Sequence, residues 1–188
     1  MEDLARRILL FWFGAPPHTP RDAWFRKDPA FDAAVGREFG PAVLHALEGG
    51  WQAWDAEPQG ALARILLLDQ FTRNMHRDSP RAFAGDALAL AAAQALVARG
   101  DDARLGPLER WFAYLPFEHA ESWPAQECSL ALFAQLAAET GIAAPLEWAQ
   151  KHADVIRRFG RYPHRNGLLG RTSTPEEIAF LAQPGSRF

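Results

Sequence analysis

Apolar residues recur along the chain at the three- and four-residue spacing of helix faces, and no stretch alternates with period two over the length of a strand. Leu4, Ile8, Phe11 and Trp12 share one face of a helix over Asp3 to Phe13, which Gly14 and two prolines end. Asp28 before Pro29 reads as an N-cap with a first-turn proline, and helical pattern runs on to about Gly49 with a break at Gly40 and Pro41. A helix over about Pro58 to Asn74 follows, and then an Ala/Leu-rich one, opened by Ser79 and Pro80 and closed by Gly100. The pattern next predicts a short helix from about Pro107 to Tyr114, with Pro116 interrupting it and leaving His119 and Glu121 in a turn. Ser122 caps a helix that packs through Leu130, Phe133, Ala134 and Ala137, with Gln126 on the same inward stripe. Leu146, Ala149, Ala153 and Ile156 mark another helix reaching Phe159, and Thr174 to Glu177 is a capping box opening the last short one. These are about nine helical segments, so the chain reads as all-α, and its 188 residues suit a single domain over 1–188.

The segment from Pro58 to Asn74 is apolar on two sides and is therefore expected to be buried. At about 100° per residue, Leu62, Ile65, Leu66, Asp69, Arg73 and His76 lie along one line, with Leu67, Leu68 and Phe71 opposite. The stripe turns from aliphatic to ionisable, which implies that Asp69, Arg73 and His76 point into something enclosed and need partners there.

Composition narrows the function classes. Hydrophobic residues are 48% of the chain and the net charge is −3, against both disorder and a general nucleic-acid binder. The one cysteine, Cys128, forms no intrachain disulfide and reads as a small buried helix residue. The first residues lack the pattern of a signal peptide, and no apolar run approaches the roughly 20 residues of a membrane span. The expectation is a cytoplasmic protein with no membrane partner, of no set oligomeric state.

Polar residues concentrate in three places. The first holds Asp69, Gln70, Arg73, Asn74 and Arg77; the second is the run from Pro116 to Glu121; the third is the run from Phe159 to Thr174. In the third, Arg161, Arg165 and Arg171 occur with Asn166 and no acidic residue nearer than Asp154 and Glu176, a local field suited to a carboxylate or phosphate. Histidine titrates near neutral pH, so His119 and His164 are candidates for acid–base work, with Asp69 or Glu121 orienting a ring. Arg73, Asn74, Arg77, Gln126, Arg161, Arg165, Asn166 and Arg171 are the candidate ligand-binding residues. No metal site and no cofactor motif is read, because metal-ligand spacings, phosphate loops, dinucleotide fingerprints and nucleophile elbows do not occur. A plain alternative is that these charges only satisfy one another and lock helices together.

Several motifs recur in order along nearly the whole chain: FWFG (Phe11 to Gly14), KDPAFD (Lys27 to Asp32), LDQFTRN (Leu68 to Asn74), AFAGDALA (Ala82 to Ala89), LPFEHAE (Leu115 to Glu121) and RFGRYPHRNGLLGRTSTPEE (Arg158 to Glu177). In these the chain resembles a large, mainly bacterial family of uncharacterised proteins classed as a domain of unknown function. The resemblance implies a tetratricopeptide-like all-helical fold and supplies no activity, cofactor or catalytic residue. Two partners are then expected from the residues: a small anionic molecule in an enclosed site worked by His119 and His164, or, as the alternative, a peptide carboxylate gripped by the arginines of a binding module without catalysis.

Overall fold

A computed structural model describes residues 3–186, and among them there are helices and turns and no strand. The helices are α1 (Asp3–Phe13), α2 (Pro29–Leu47), α3 (Pro58–Ile65), α4 (Thr72–Met75), α5 (Asp86–Ala98), α6 (Pro107–His119), α7 (Trp123–Thr140), α8 (Ala144–Phe159) and α9 (Pro175–Leu181). The expected caps form: the Asp28 carboxylate accepts from the amides of Ala30 and Phe31 at 2.9 and 3.1 Å, and Thr174 and Glu177 bond each other's amides reciprocally. Ser122 holds the N-cap position of α7, but its side chain makes no capping bond.

Among the described residues the main hydrophobic core runs from α1 into α8, where Ala149 joins it, around Trp12, Phe39, Leu62, Phe71, Phe112 and Phe133, all under 2% exposed. A smaller one forms where Val155, Ile156 and Tyr162 meet. Helices α6, α7 and α8 pack against one another in chain order, as in helical arrays, an arrangement compatible with a tetratricopeptide-like fold.

Three differences from the pattern-based reading have physical causes. Neither Pro41 nor Pro116 breaks its helix, and α2 and α6 run through them. Each removes one backbone donor, but in α6 Trp111, Phe112, Tyr114, Leu115 and Phe117 are all buried, and that burial exceeds the roughly 3 kcal/mol an internal proline costs. His119 is consequently the last residue of α6 and not part of a turn. Cys128 is exposed, on the outer side of α7. The stretch Pro80–Ala98 does reach the length and mean hydropathy (1.3) of a membrane-crossing helix, because alanine raises hydropathy without adding bulk. Here it is divided into a 3-10 turn (Pro80–Phe83) and α5, joined at Gly85.

Between α3 and α4 the chain makes a π turn, Leu66–Phe71, every residue of which is buried. Such a turn holds an extra residue and sets all later side chains back by about 100° relative to a straight α-helix. His76 directly follows the last residue of α4 with non-helical backbone (φ −125°, ψ 33°), so it leaves the inward stripe and is half-buried, while Arg77 turns toward Asp32.

Gly85 packs against the carbonyl of Leu68 in the π turn so closely that a Cβ there would sit 2.1 Å from the oxygen. Gly36, inside α2, has nothing within 4 Å of the same position. Gly85→Ala is therefore expected to destabilise the protein by about 2 kcal/mol or more, and Gly36→Ala to stabilise it by about 0.5 kcal/mol, both read by denaturant unfolding. Equal effects of the two substitutions would contradict the close packing at Gly85.

Candidate functional site

The three polar regions converge, but on two different places. The first is a cavity of about 660 Å³ whose lining includes Arg73, Asn74, Arg77, Glu118, His119, His152, His164 and Arg165, together with Trp24, Phe25, Phe83, Trp111 and Trp148. The second is a lock that fastens the segment after α8.

Behind the cavity wall lies Asp69, fully buried in the π turn. Its carboxylate accepts from Arg73 Nη1 at 3.0 Å and Gln70 Nε2 at 2.6 Å, and meets His119 Nδ1 at 2.7 Å. Burial alone would raise its pKa; the charge of Arg73 and the contact with His119 outweigh that and hold the carboxyl well below its usual range. An ionised carboxylate only accepts, so the His119 proton sits on Nδ1 and the lone pair on Nε2, in a ring that lines the cavity. Burial and then Arg73 lower the His119 pKa despite Asp69, which keeps the imidazole neutral near pH 7.

Glu118, next to it on the last turn of α6, is 3% exposed. Burial first, and the charge of Asp69 second, push its carboxyl up to about 8, so that it is protonated at neutral pH. Its Oε1 lies 3.2 Å from His152 Nδ1. That nitrogen also lies 2.9 Å from the carbonyl of Trp148, which can only accept, so Nδ1 carries the proton. The His152 pKa falls to about 3, chiefly through burial, and the ring is neutral. Glu118 Oε2 is buried and finds no hydrogen-bond partner among the described residues. A carboxylic acid and a neutral imidazole thus stand side by side in one cavity, with opposite proton roles.

The cations are arranged asymmetrically. Arg73 binds Asp86 through both terminal nitrogens, at 2.8 and 3.1 Å, and Arg165 Nη1 reaches the same carboxylate at 3.3 Å. Arg165 is 6% exposed and held between the rings of Phe83 and Tyr162, 4.7 and 4.5 Å from their centroids. Burial and the neighbouring Arg73 lower its pKa, and its Nε has no acceptor among the described residues. Asn74 and Arg77 both donate to Asp32, at 2.7 Å for the amide and 2.5 Å for Arg77 Nε. Asp32, Asp69 and Asp86 grip these groups from behind and are not among the lining residues, whereas Asp78, paired with Lys27 at 3.0 Å, and Glu118 are, so the lining carries more donor groups than carboxyl groups.

Trp24 and Phe25 in the lining are placed by the end of α1. Arg21 Nη1 donates to the carbonyls of Phe11 and Trp12 at 2.6 and 2.7 Å, and Trp24 Nε1 to that of Trp12 at 2.9 Å. These bonds satisfy carbonyls that a helix end leaves open, and they dock Trp24 and Phe25 beside Trp111.

The lock takes the other candidates. Arg161 binds Glu177 through two nitrogens at 2.7 and 2.9 Å, and Arg171 binds Glu121 likewise at 2.6 and 2.9 Å. Glu121 Oε1 also accepts from the amide of Tyr162 at 2.7 Å, and Asn166 bridges Ser173, Glu177 and Arg171. Gln126 is fully buried and donates to the carbonyls of Glu118 and Ala120. Of the residues singled out from sequence, His119, His164, Arg73, Asn74, Arg77 and Arg165 line the cavity and Asp69 supports it from behind. Glu121, Gln126, Arg161, Asn166 and Arg171 hold the surrounding frame and do not line it. Glu118, His152, Asp86, Trp111 and Trp148 are site residues that no sequence pattern singles out. Glu118 lies inside the LPFEHAE run and His152 on a helix with an ordinary apolar face, and only their burial beside other titratable groups marks them. Among the described residues no group of three or more His, Cys, Asp or Glu side chains is disposed to hold a metal ion.

A family model described as "Bacterial protein of unknown function (DUF924)" matches residues 8–185. A solved structure of a protein of unknown function from Agrobacterium tumefaciens superposes with a TM-score of 0.86 at 40% sequence identity, covering 95% of this chain and 97% of that one. No curated protein matches the chain.

The raised Glu118 pKa has a signed consequence for stability. Below its unfolded value near 4.5 both states are protonated; as pH rises toward about 8 the unfolded state ionises while the folded state does not, and stability is lost. Glu118→Gln removes that loss. The variant is expected to match the wild type near pH 4 and to exceed its Tm by roughly 5 °C or more at pH 8, read by thermal denaturation across the range. A Tm difference independent of pH would show that Glu118 is not buried as an acid.

Proposed function

We infer that this chain, which belongs to the DUF924 family of bacterial proteins of unknown function, is a cytoplasmic protein that binds a small carboxylate- or phosphate-bearing molecule and performs acid–base chemistry on it. Arg165 is the observation that carries this reading. It is a buried guanidinium on the cavity wall that shares the Asp86 carboxylate with Arg73 and, among the described residues, has no acceptor at Nε. A buried donor without an acceptor costs about 1 to 3 kcal/mol, more when charged, and an anionic oxygen removes that cost.

The proton roles follow from the two neighbours on α6. His119 Nε2 is the base, with Asp69 fixing its tautomer and stabilising the imidazolium formed when it takes a proton. Glu118 is the acid, donating from a carboxyl that stays protonated at neutral pH. The pair suits hydrolysis, His119 activating water and Glu118 protonating the leaving group, and His164 adds a third titratable ring to the same lining. A peptide-binding module would draw on Arg161 and Arg171 to grip a chain end. Both are committed to carboxylates of the chain itself, which favours the small-molecule reading.

Acetate, sulfate and phosphate are expected to raise the Tm of the wild type and of Arg161→Gln, and to lose that effect in Arg165→Gln. A wild-type Tm insensitive to all three anions would overturn the reading. Glu118 also sets a pH dependence. Protonated, it donates to the anion; ionised above about pH 8, it repels it. Acetate affinity should therefore fall by roughly tenfold per pH unit above pH 8 in the wild type and stay flat in Glu118→Gln, measured by calorimetric titration. A wild-type affinity that rises with pH would refute the acid role.

A further inference from the structure

We propose that the natural ligand is an amphiphilic anion, an aryl or acyl carboxylate or phosphate monoester whose apolar body lies along the aromatic side of the cavity while its charged group sits at Arg165. The proposal rests on the anion-site reading and specifies its substrate class.

Three observations carry it. At about 660 Å³ the cavity is of the size that takes a whole organic ligand and is far larger than a bare phosphate or acetate needs. Its lining contains Phe25 and Trp148, which are 60% and 44% exposed although their neighbours Trp24 and Trp111 are buried. Large rings left open to solvent at a concave site, and not scattered singly over the surface, mark a place where apolar area is covered by something else. These rings are also held in place. Phe25 stacks on Trp111 with centroids 5.3 Å apart, and Lys151 Nζ lies 4.1 Å from the Trp148 centroid, so the apolar side is prearranged. The polar end is prearranged as well, by Phe83 and Tyr162 on either face of the Arg165 guanidinium. A ligand with charge alone would leave the rings wet, and one with an apolar body alone would leave the Arg165 Nε donor and Glu118 Oε2 unanswered.

Calorimetric titration of the full-length protein with acetate, butyrate, hexanoate, octanoate and 3-phenylpropionate tests this. Affinity is expected to rise roughly two- to fourfold per added methylene, so that octanoate binds at least about sixtyfold more tightly than acetate. Trp148→Ala and Phe25→Ser should each cost octanoate about tenfold while changing acetate less than twofold, and Arg165→Gln should weaken every member of the series. Equal affinities for acetate and octanoate would overturn the amphiphile and leave the anion site standing. No binding by any member would overturn both. A peptide ending in Leu-Phe that binds more than tenfold more tightly than N-acetylphenylalanine would also overturn the proposal, because the apolar body would then belong to another protein's chain end.

Discussion

A carboxylate with no exposed surface has to be answered by donors from its own fold, and Asp69 is that carboxylate. Unpaired, a buried charge of this kind would cost several kcal/mol, a large share of the stability of any domain. Its donors come from the π turn itself (Gln70), from α4 (Arg73) and from the end of α6 (His119). Satisfying Asp69 therefore ties three elements together, sets the His119 tautomer and fixes Arg73 where it can also hold Asp86. Asp86 in turn brings Arg165 in from the segment after α8. The candidate site is in this sense a by-product of neutralising one buried charge, with the difference that Arg165 Nε and Glu118 Oε2 find no hydrogen-bond partner among the described residues.

Two kinds of charge pairing coexist within a short stretch of chain. Arg161 and Arg171 each meet a carboxylate with two parallel bonds, the geometry in which a guanidinium is fully used. Arg165, between them in sequence, is clamped by aromatic rings and shares its carboxylate with Arg73. The first kind holds the segment against the link between α6 and α7 and against α9. The second keeps a cation at a cavity wall with one edge open. The same residue type in one motif thus serves as fastening and as recognition, according to whether an acid reaches it head on.

The π turn links the core to the site. Gly85 fits against its Leu68 carbonyl, so Asp86 at the start of α5 lies directly beside Arg73. Past Met75 the chain leaves helical geometry, which turns Arg77 toward Asp32 and leaves His76 outside. Sequence periodicity assumes a continuing helix, and it places Asp69 and Arg73 correctly because both lie in the helical run that ends at Met75. It misplaces His76 because the helix has ended by then.

What the sequence determined by itself is the helical class and most helix boundaries, since these follow from local spacing and capping that each segment carries within itself, as at Asp28 and Thr174. It also marked the polar runs from which the site draws His119, His164, Arg73 and Arg165. Which arginines face a cavity and which are spent on carboxylates was decided only by the tertiary structure, because Glu121 and Glu177 differ from Glu118 in nothing but what lies across from them. The same holds for the proton roles. Glu118 is an acid near neutral pH because helices distant in sequence bury it beside Asp69, and burial of one group by another is a property of packing that no local pattern contains.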